Sequence, residues 1–224
     1  MKLLFFTDSR GQHKTTFSEK KIFTEKFSSN FDCDLMLCPY KWTTTLDFIN
    51  LIETNKINLE NYDKIILYTG VVEFSPRHLS NFKQCLSSKL GFIESLLGDY
   101  LDLDTLYQCK YRGEYTKSLI SISAYENVVI PYLQKFNQKL IFINTNKIVP
   151  GWEGNYLSNN PYGRPKNINL VEEYSKKTIG KFDNLINLLE WDYEEIKRYT
   201  VDNMHLTYSG SEYIYKKIKK LLEC

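Results

Sequence analysis

The chain reads as an α/β domain whose parallel sheet is wrapped by helices on both faces. Three observations predict this. Four short apolar runs of strand length stand at 2–8, 33–38, 63–70 and 139–146. Longer segments with helical spacing separate them, and polar or turn residues close each run. With 224 residues, 42% hydrophobic and 25% charged, the composition suits one globular domain spanning 1–224 with a sizeable core.

The first run, KLLFFTD, is unbroken from Leu3 to Phe6, as in a strand buried on both faces, and stops at Asp8-Ser9-Arg10-Gly11. HKTTFSEKKIFTEKF then places Phe17, Ile22, Phe23 and Phe27 on a broad helical stripe. CDLMLC is the second strand. TTTLDFINLIE sets Leu46, Phe48, Ile49 and Ile52 in a similar pattern behind a threonine cap, before the third strand, DKIILYTG. From Pro76 to Asn137 the chain exceeds a single crossover and carries amphipathic stretches (HLSNFKQCLSSKLGFIESLL, DLDTLYQC, AYENVVIPYLQKF), which predict an insertion of helices over the C-terminal edge of the sheet. KLIFINTN is the fourth strand. Residues 149–169 are rich in Gly, Asn, Pro and aromatics and predict an irregular loop, after which NLVEEYSKKTIGKFDNLINLL and YSGSEYIYKKIKKLLE predict two helices.

Several function classes lack support. Net charge is +2 and the lysines are scattered among acids and tyrosines, so no basic stripe points to nucleic acid. Only Lys2 precedes a four-residue apolar stretch, which is too short for a secretory signal, and no segment has the length of a membrane span. The five cysteines (Cys33, Cys38, Cys85, Cys109, Cys224) are spread out, with no CxxC pair and no neighbouring His. They read as reduced thiols of a cytoplasmic protein, with no metal and no cofactor expected.

The three histidines are His13, His78 and His205. His205 lies three residues after Asp202, just before the terminal helix. That spacing on a turn can aim a carboxylate at Nδ1 and leave Nε2 free to take a proton. Ser9, at the end of the first strand, is the natural hydroxyl to complete a triad. His13 and His78 receive no role.

These two motifs resemble those of the SGNH (GDSL-like) hydrolase family, whose nucleophile follows the first strand in a Gly-Asp-Ser motif and whose Asp and His stand beside the last helix. Here the first motif reads Thr7-Asp8-Ser9-Arg10-Gly11, with Thr7 where glycine is usual. The second reads Asp202-Asn203-Met204-His205-Leu206-Thr207, followed by Gly210. The resemblance implies a three-layer, flavodoxin-like α/β/α domain in which Ser9 attacks an ester carbonyl, His205 accepts its proton and Asp202 orients His205. The Ser9 backbone N–H would supply one oxyanion donor.

Two departures follow. No glycine occurs between Gly11 and Gly70, so the donor expected after the second strand falls to a backbone N–H near Trp42 or Thr43. The family's Gly-x-Asn-Asp motif reads Gly70-Val71-Val72-Glu73, and Val72 has no side-chain donor. Gly70 or Asn144 is the candidate replacement. Arg10 and Arg77 follow strand ends and could grip an anionic group on a substrate, while Arg77 could equally pair with Glu73. Trp152, Tyr156 and Tyr162 form either a sugar-facing surface or a plug over the sheet edge, with Asn146 beside them.

The expected activity is a serine-dependent ester hydrolase or O-acyltransferase acting on O-acetyl groups of a sugar or surface-polysaccharide precursor, a small-molecule or carbohydrate ester. A weak or inactive glycan- or partner-binding module is the alternative. A third reading, an anion-binding loop at Asp8-Ser9-Arg10-Gly11, leaves Asp202 and His205 unexplained.

Overall fold

The computed structural model describes residues 1–12 and 20–223; His13, Phe17 and Cys224 lie outside them. β1 (Lys2–Thr7) leads through a short 3-10 turn to α1 (Phe23–Ser28) and β2 (Asp32–Leu37). α2 (Thr45–Glu53) carries the expected cap: the Thr44 hydroxyl accepts from Asp47 N, and the Asp47 carboxylate accepts from Thr44 N at 2.8 Å. β3 (Lys64–Tyr68) and the four-residue α3 (Val71–Phe74) follow.

β1 pairs in parallel with both β2 and β3. Beyond β3 the sheet continues with β7 (Leu140–Ile143) and β8 (Leu185–Ile186), so its order is β2-β1-β3-β7-β8. Alternate side chains of the central strands enter two separate cores. Leu4, Phe6, Ile65, Leu67, Leu140 and Phe142 face one, and Leu3, Phe5, Ile66, Tyr68, Ile141 and Ile143 face the other. The first core is closed chiefly by α2 and by segments of the 76–137 region. The second is closed by Phe23 and Phe27 of α1, Trp191, and Ile214 and Ile218 near the C-terminus. The result is the expected three-layer α/β/α domain with an insertion between β3 and β7.

The insertion differs from the all-helical expectation. Arg77–His78 is β4, and α4 (Leu79–Ser87) and α5 (Leu90–Leu97) are helical. Tyr107–Tyr111 and Glu114–Lys117 are then strands β5 and β6, which with β4 form a three-stranded antiparallel sheet in the order β4-β6-β5. The hairpin turns on two residues, Arg112 (φ 54) and Gly113 (φ 84), and two consecutive positive φ values match the twist of the flanking strands. α6 (Ile122–Ala124) passes into a π turn over Tyr125–Val129 and then α7 (Ile130–Gln134). Pro131 has no N–H to give an α-helical partner, and the wide turn lies just before it.

The long helix expected over 169–189 is also not continuous. After α8 (Tyr156–Asn159), α9 runs only from Leu170 to Lys176. Gly180 sits at φ +70, and β8 then adds a fifth strand beside β7 with Phe142 opposite Leu185. The sheet edge offers hydrogen bonds that this segment could not satisfy as helix. A helix not expected from the sequence, α10 (Tyr193–Tyr199), starts at a reciprocal Asp192/Glu195 cap, and α11 (Tyr208–Leu222) ends the domain. Among the described residues no helix is long and apolar enough to cross a membrane, and Cys33, Cys38, Cys85 and Cys109 are unpaired thiols.

Phe74 ties these parts together: its ring stacks on Tyr174 of α9 at 4.4 Å and meets Tyr125 of the π turn edge-on at 4.6 Å. Phe74→Ala is expected to cost about 3–5 kcal/mol of stability, read as a lower urea midpoint at unchanged slope.

Candidate active site

The turn after β1 is held by a dry ion pair. Asp8 Oδ1 accepts the Arg10 backbone N–H at 3.0 Å. The Arg10 guanidinium bends back onto the same carboxylate, Nε to Oδ1 at 2.9 Å and Nη2 to Oδ2 at 2.8 Å. Nη2 also donates to Thr69 O at 2.7 Å, and the guanidinium lies 4.0 Å over the Tyr68 ring. The two side chains are only 1% and 2% exposed. Arg10 therefore pins the end of β1 to the end of β3 and faces away from solvent, which corrects its reading as a substrate contact. The turn offers no free cation for an anion loop either. Gly11 is obligatory because a Cβ there would fall 2.1 Å from Thr7 Oγ1.

From the other end of the chain, the 200–207 loop folds into a tight knot. Thr200 and Leu206 bridge antiparallel, and Val201 N donates to His205 O at 2.8 Å. Asp202 Oδ1 accepts the backbone N–H groups of Met204 (3.1 Å) and His205 (2.7 Å). Its Oδ2 faces His205 Nδ1 at 2.8 Å, and His205 Nε2 lies 3.1 Å from Ser9 Oγ. Burial alone would raise the Asp202 carboxyl. The His205 imidazole and these two N–H donors outweigh it and hold the carboxyl down at about 2. The side chain of Asn203, at φ 69, accepts from Val149 N and donates to Trp152 O. Asn146 Nδ2 donates to Asn203 O at 2.8 Å.

Sequence reasoning missed Arg164. Its side chain is 3% exposed, is stacked 3.7 Å from the Tyr156 ring centroid, and bonds both the Glu153 carboxylate and the Asp202 carbonyl. The signal was a lone Arg and a lone Glu in a Gly-, Asn- and aromatic-rich loop, and only the fold shows that they meet.

Other expected residues lie elsewhere or do other work. Asn144 is spent inside the core: Nδ2 donates to Thr178 and Asn187, and Oδ1 accepts Leu188 N at 2.7 Å, so it is no oxyanion donor. Trp152 is partly buried against the second core, which favours the plug over an open sugar platform. Trp42 packs on the first core beneath Lys41. Gly70, at φ 118, opens α3, and Val72 turns its side chain to the first core. The backbone N–H groups of Ser9, Trp42 and Gly70 meet no acceptor among the described residues. Arg77 does not pair with Glu73; it donates to Val72 O (3.2 and 3.3 Å) and to Asn81 Oδ1 at 3.3 Å. His78 caps α4, its Nδ1 accepting from Asn81 N at 3.3 Å. Among the described residues no group of three or more His, Cys, Asp or Glu side chains could hold a metal ion.

Glu73 is buried instead at the start of α2, where Oε1 accepts Thr45 N at 2.9 Å as well as the Thr45 hydroxyl, and Oε2 has no partner. Burial pushes its carboxyl up to about 7. The Thr45 hydrogen bonds only partly oppose this, and the Asp8 charge adds to it.

No protein-family model matches the sequence, and no curated protein matches it. Solved structures match over nearly the whole chain. One is a lipase/acylhydrolase from Enterococcus faecalis, 13% identical over 99% of this chain and 94% of that one, with a TM-score of 0.52. A second is an acetyl xylan esterase, 14% identical over 99% of both chains at 0.51. A third is an acetyl-xylooligosaccharide esterase from Geobacillus, 11% identical over 98% and 92% at 0.50. At such identities the likeness is one of fold. It is a parallel sheet between helical layers, the three-layer α/β/α arrangement expected from the sequence, here with five strands.

Glu73 gives a pH signature. Its folded value, about 7, lies above the ordinary 4.5, so the folded chain keeps a proton that the unfolded chain gives up. The Glu73 contribution to stability is therefore full below about pH 4.5 and is lost as pH rises towards 7, by about 3 kcal/mol. Urea unfolding at several pH values is expected to show this decline in the wild type and to lose it in Glu73→Gln.

Proposed function

We propose that the chain is a serine-dependent carboxyl-ester hydrolase or O-acyltransferase that works through an acyl-Ser9 intermediate on O-acetyl groups of a sugar or surface-polysaccharide precursor. The observation that carries this is the relay from Ser9 Oγ to His205 Nε2 (3.1 Å) and from His205 Nδ1 to Asp202 Oδ2 (2.8 Å). In this reading Ser9 Oγ bonds to the ester carbonyl carbon as its proton passes to Nε2, and Asp202 holds the tautomer and balances the imidazolium. The oxyanion takes backbone N–H groups from Ser9 and Gly70, with Trp42 as the third candidate. Collapse of the intermediate returns the proton to the leaving alkoxide. Water then hydrolyses the acyl-enzyme, or a sugar hydroxyl takes the acyl group.

Two observations support a short acyl group. The dent outlined by Ser9, Arg10, Gln12, Ile22 and His205 holds about 10 Å³, the room of one water-sized group. Two of the similar structures carry names of esterases that act on acetylated xylan or xylooligosaccharide.

Val72 keeps a second reading in play, a weak or inactive glycan- or partner-binding module, because the side-chain donor of the resembling family is absent. Fluorophosphonate labelling with p-nitrophenyl acetate turnover separates the two. The wild type is expected to label and turn over, Ser9→Ala and His205→Ala to do neither, and Asp202→Asn to lose about four orders of magnitude in kcat. A wild type that neither labels nor turns over leaves only the binding module.

A further inference from the structure

A cleft of about 220 Å³ reaches the Asp202–His205 knot at Met204. Its walls come chiefly from the insertion and from the 149–169 loop. Arg77, His78 and Asn81 lie at the start of the insertion, and Tyr111 and Arg112 at its hairpin tip; Tyr156, Asn160 and Arg164 come from the 149–169 loop. The hairpin docks on that loop through Tyr111 Oη, which donates to Gly163 O at 2.7 Å, and through Arg112 Nη2, which donates to Asn160 Oδ1 at 2.6 Å.

The charge of this cleft is one-sided. Three arginines line it and no carboxylate does. Arg164 is already neutralised by Glu153 and committed to Asp202. Arg77 and Arg112 form no ion pair among the described residues. Arg77 uses three N–H groups on the Val72 and Asn81 oxygens, which leaves two of its five without a partner. Burial pulls its guanidinium below the ordinary arginine value, and the nearby groups Cys85, Tyr156 and Glu73 do not restore it. A half-buried cation with spare donors and no ion-pair partner is stabilised by an oxyanion, and a guanidinium presents the fork that carboxylates and phosphates match. His78 lines the same wall, its Nδ1 accepting from Asn81 N, with Glu114 3.7 Å from Nδ1. The volume falls below the ~300–1,000 Å³ of sites that enclose a drug-sized ligand, so it suits one group of a larger substrate.

We propose that this cleft binds an anionic group, a carboxylate or a phosphate, carried by the ester substrate, with Arg77 and Arg112 as its ligands. The anion site stands on its own lining; only the ligand's identity as an ester substrate rests on Ser9 as nucleophile. It replaces Arg10, which the sequence offered for this work, with a residue 102 positions further along in Arg112.

The test is calorimetric binding to the Ser9→Ala protein, which needs no turnover, of methyl glucuronide, glucose 1-phosphate and neutral methyl glucoside. At least one anionic probe is expected to bind ten-fold or more tighter than the neutral one. The preferred anion tells a carboxylate from a phosphate. Arg77→Met and Arg112→Asn are each expected to remove that preference, and Lys216→Gln, an equal charge loss outside the cleft, to keep it. Asparagine tolerates the positive φ at 112, so that variant decides the matter should Arg77→Met fail to fold. Equal binding of charged and neutral probes, or an anion preference that survives in Arg112→Asn and in a folded Arg77→Met, overturns the proposal. Loss of fluorophosphonate labelling in the wild type would sink the ester reading and leave this binding result standing.

Discussion

The site depends on the buried Asp8–Arg10 pair. A serine at the end of a strand is useful only if the turn that carries it does not move, and this turn is three residues long. The guanidinium closes it from inside: it grips the carboxylate two residues back and the Thr69 carbonyl at the end of the neighbouring strand. Burying such a pair adds little net stability, whereas removing one partner leaves a stranded charge and costs several kcal/mol. Its value lies in geometry, since it fixes Ser9 against both central strands.

A second constraint brings the far end of the chain to that turn. The 200–207 loop is organised from within by the Asp202 carboxylate, which accepts two of the loop's own N–H groups. From outside it is braced by Asn146, by the Asn203 contacts and by Arg164. Gly154 shows how closely the 149–169 loop approaches: a Cβ there would lie 2.1 Å from Val201 O. The irregular loop is thus a brace for His205 on one side and a wall of the arginine cleft on the other.

The parts of this architecture legible in the sequence are those that local pattern encodes. β1, β2, β3 and β7 announce themselves as apolar runs with polar ends, and Thr44 with Asp47 marks the start of α2. Ser9, Asp202 and His205 stand out because few residues could serve and their spacing suits a turn. β8 escapes because two residues carry no period, and the lysines and glycine before it read as helix and its frayed end. β5 escapes because tyrosines at 107 and 111 fit helical as well as strand spacing. Arg10, Arg164 and Asn144 are legible as polar residues, but their partners are not: what each bonds is settled by strands and loops remote in sequence.

The two charged parts of the site sit in different electrical surroundings. The Asp8–Arg10 pair is sealed from solvent, beyond the reach of mobile ions, so the placement of Ser9 should be indifferent to ionic strength. Arg112 stands exposed on a hairpin tip, where a Debye length of about 8 Å at physiological salt weakens its field within one cleft's width. The proposed chemistry at the serine and the proposed capture of an anion are thereby separable by the surrounding electrolyte: the first would be set by the fold, the second by the medium.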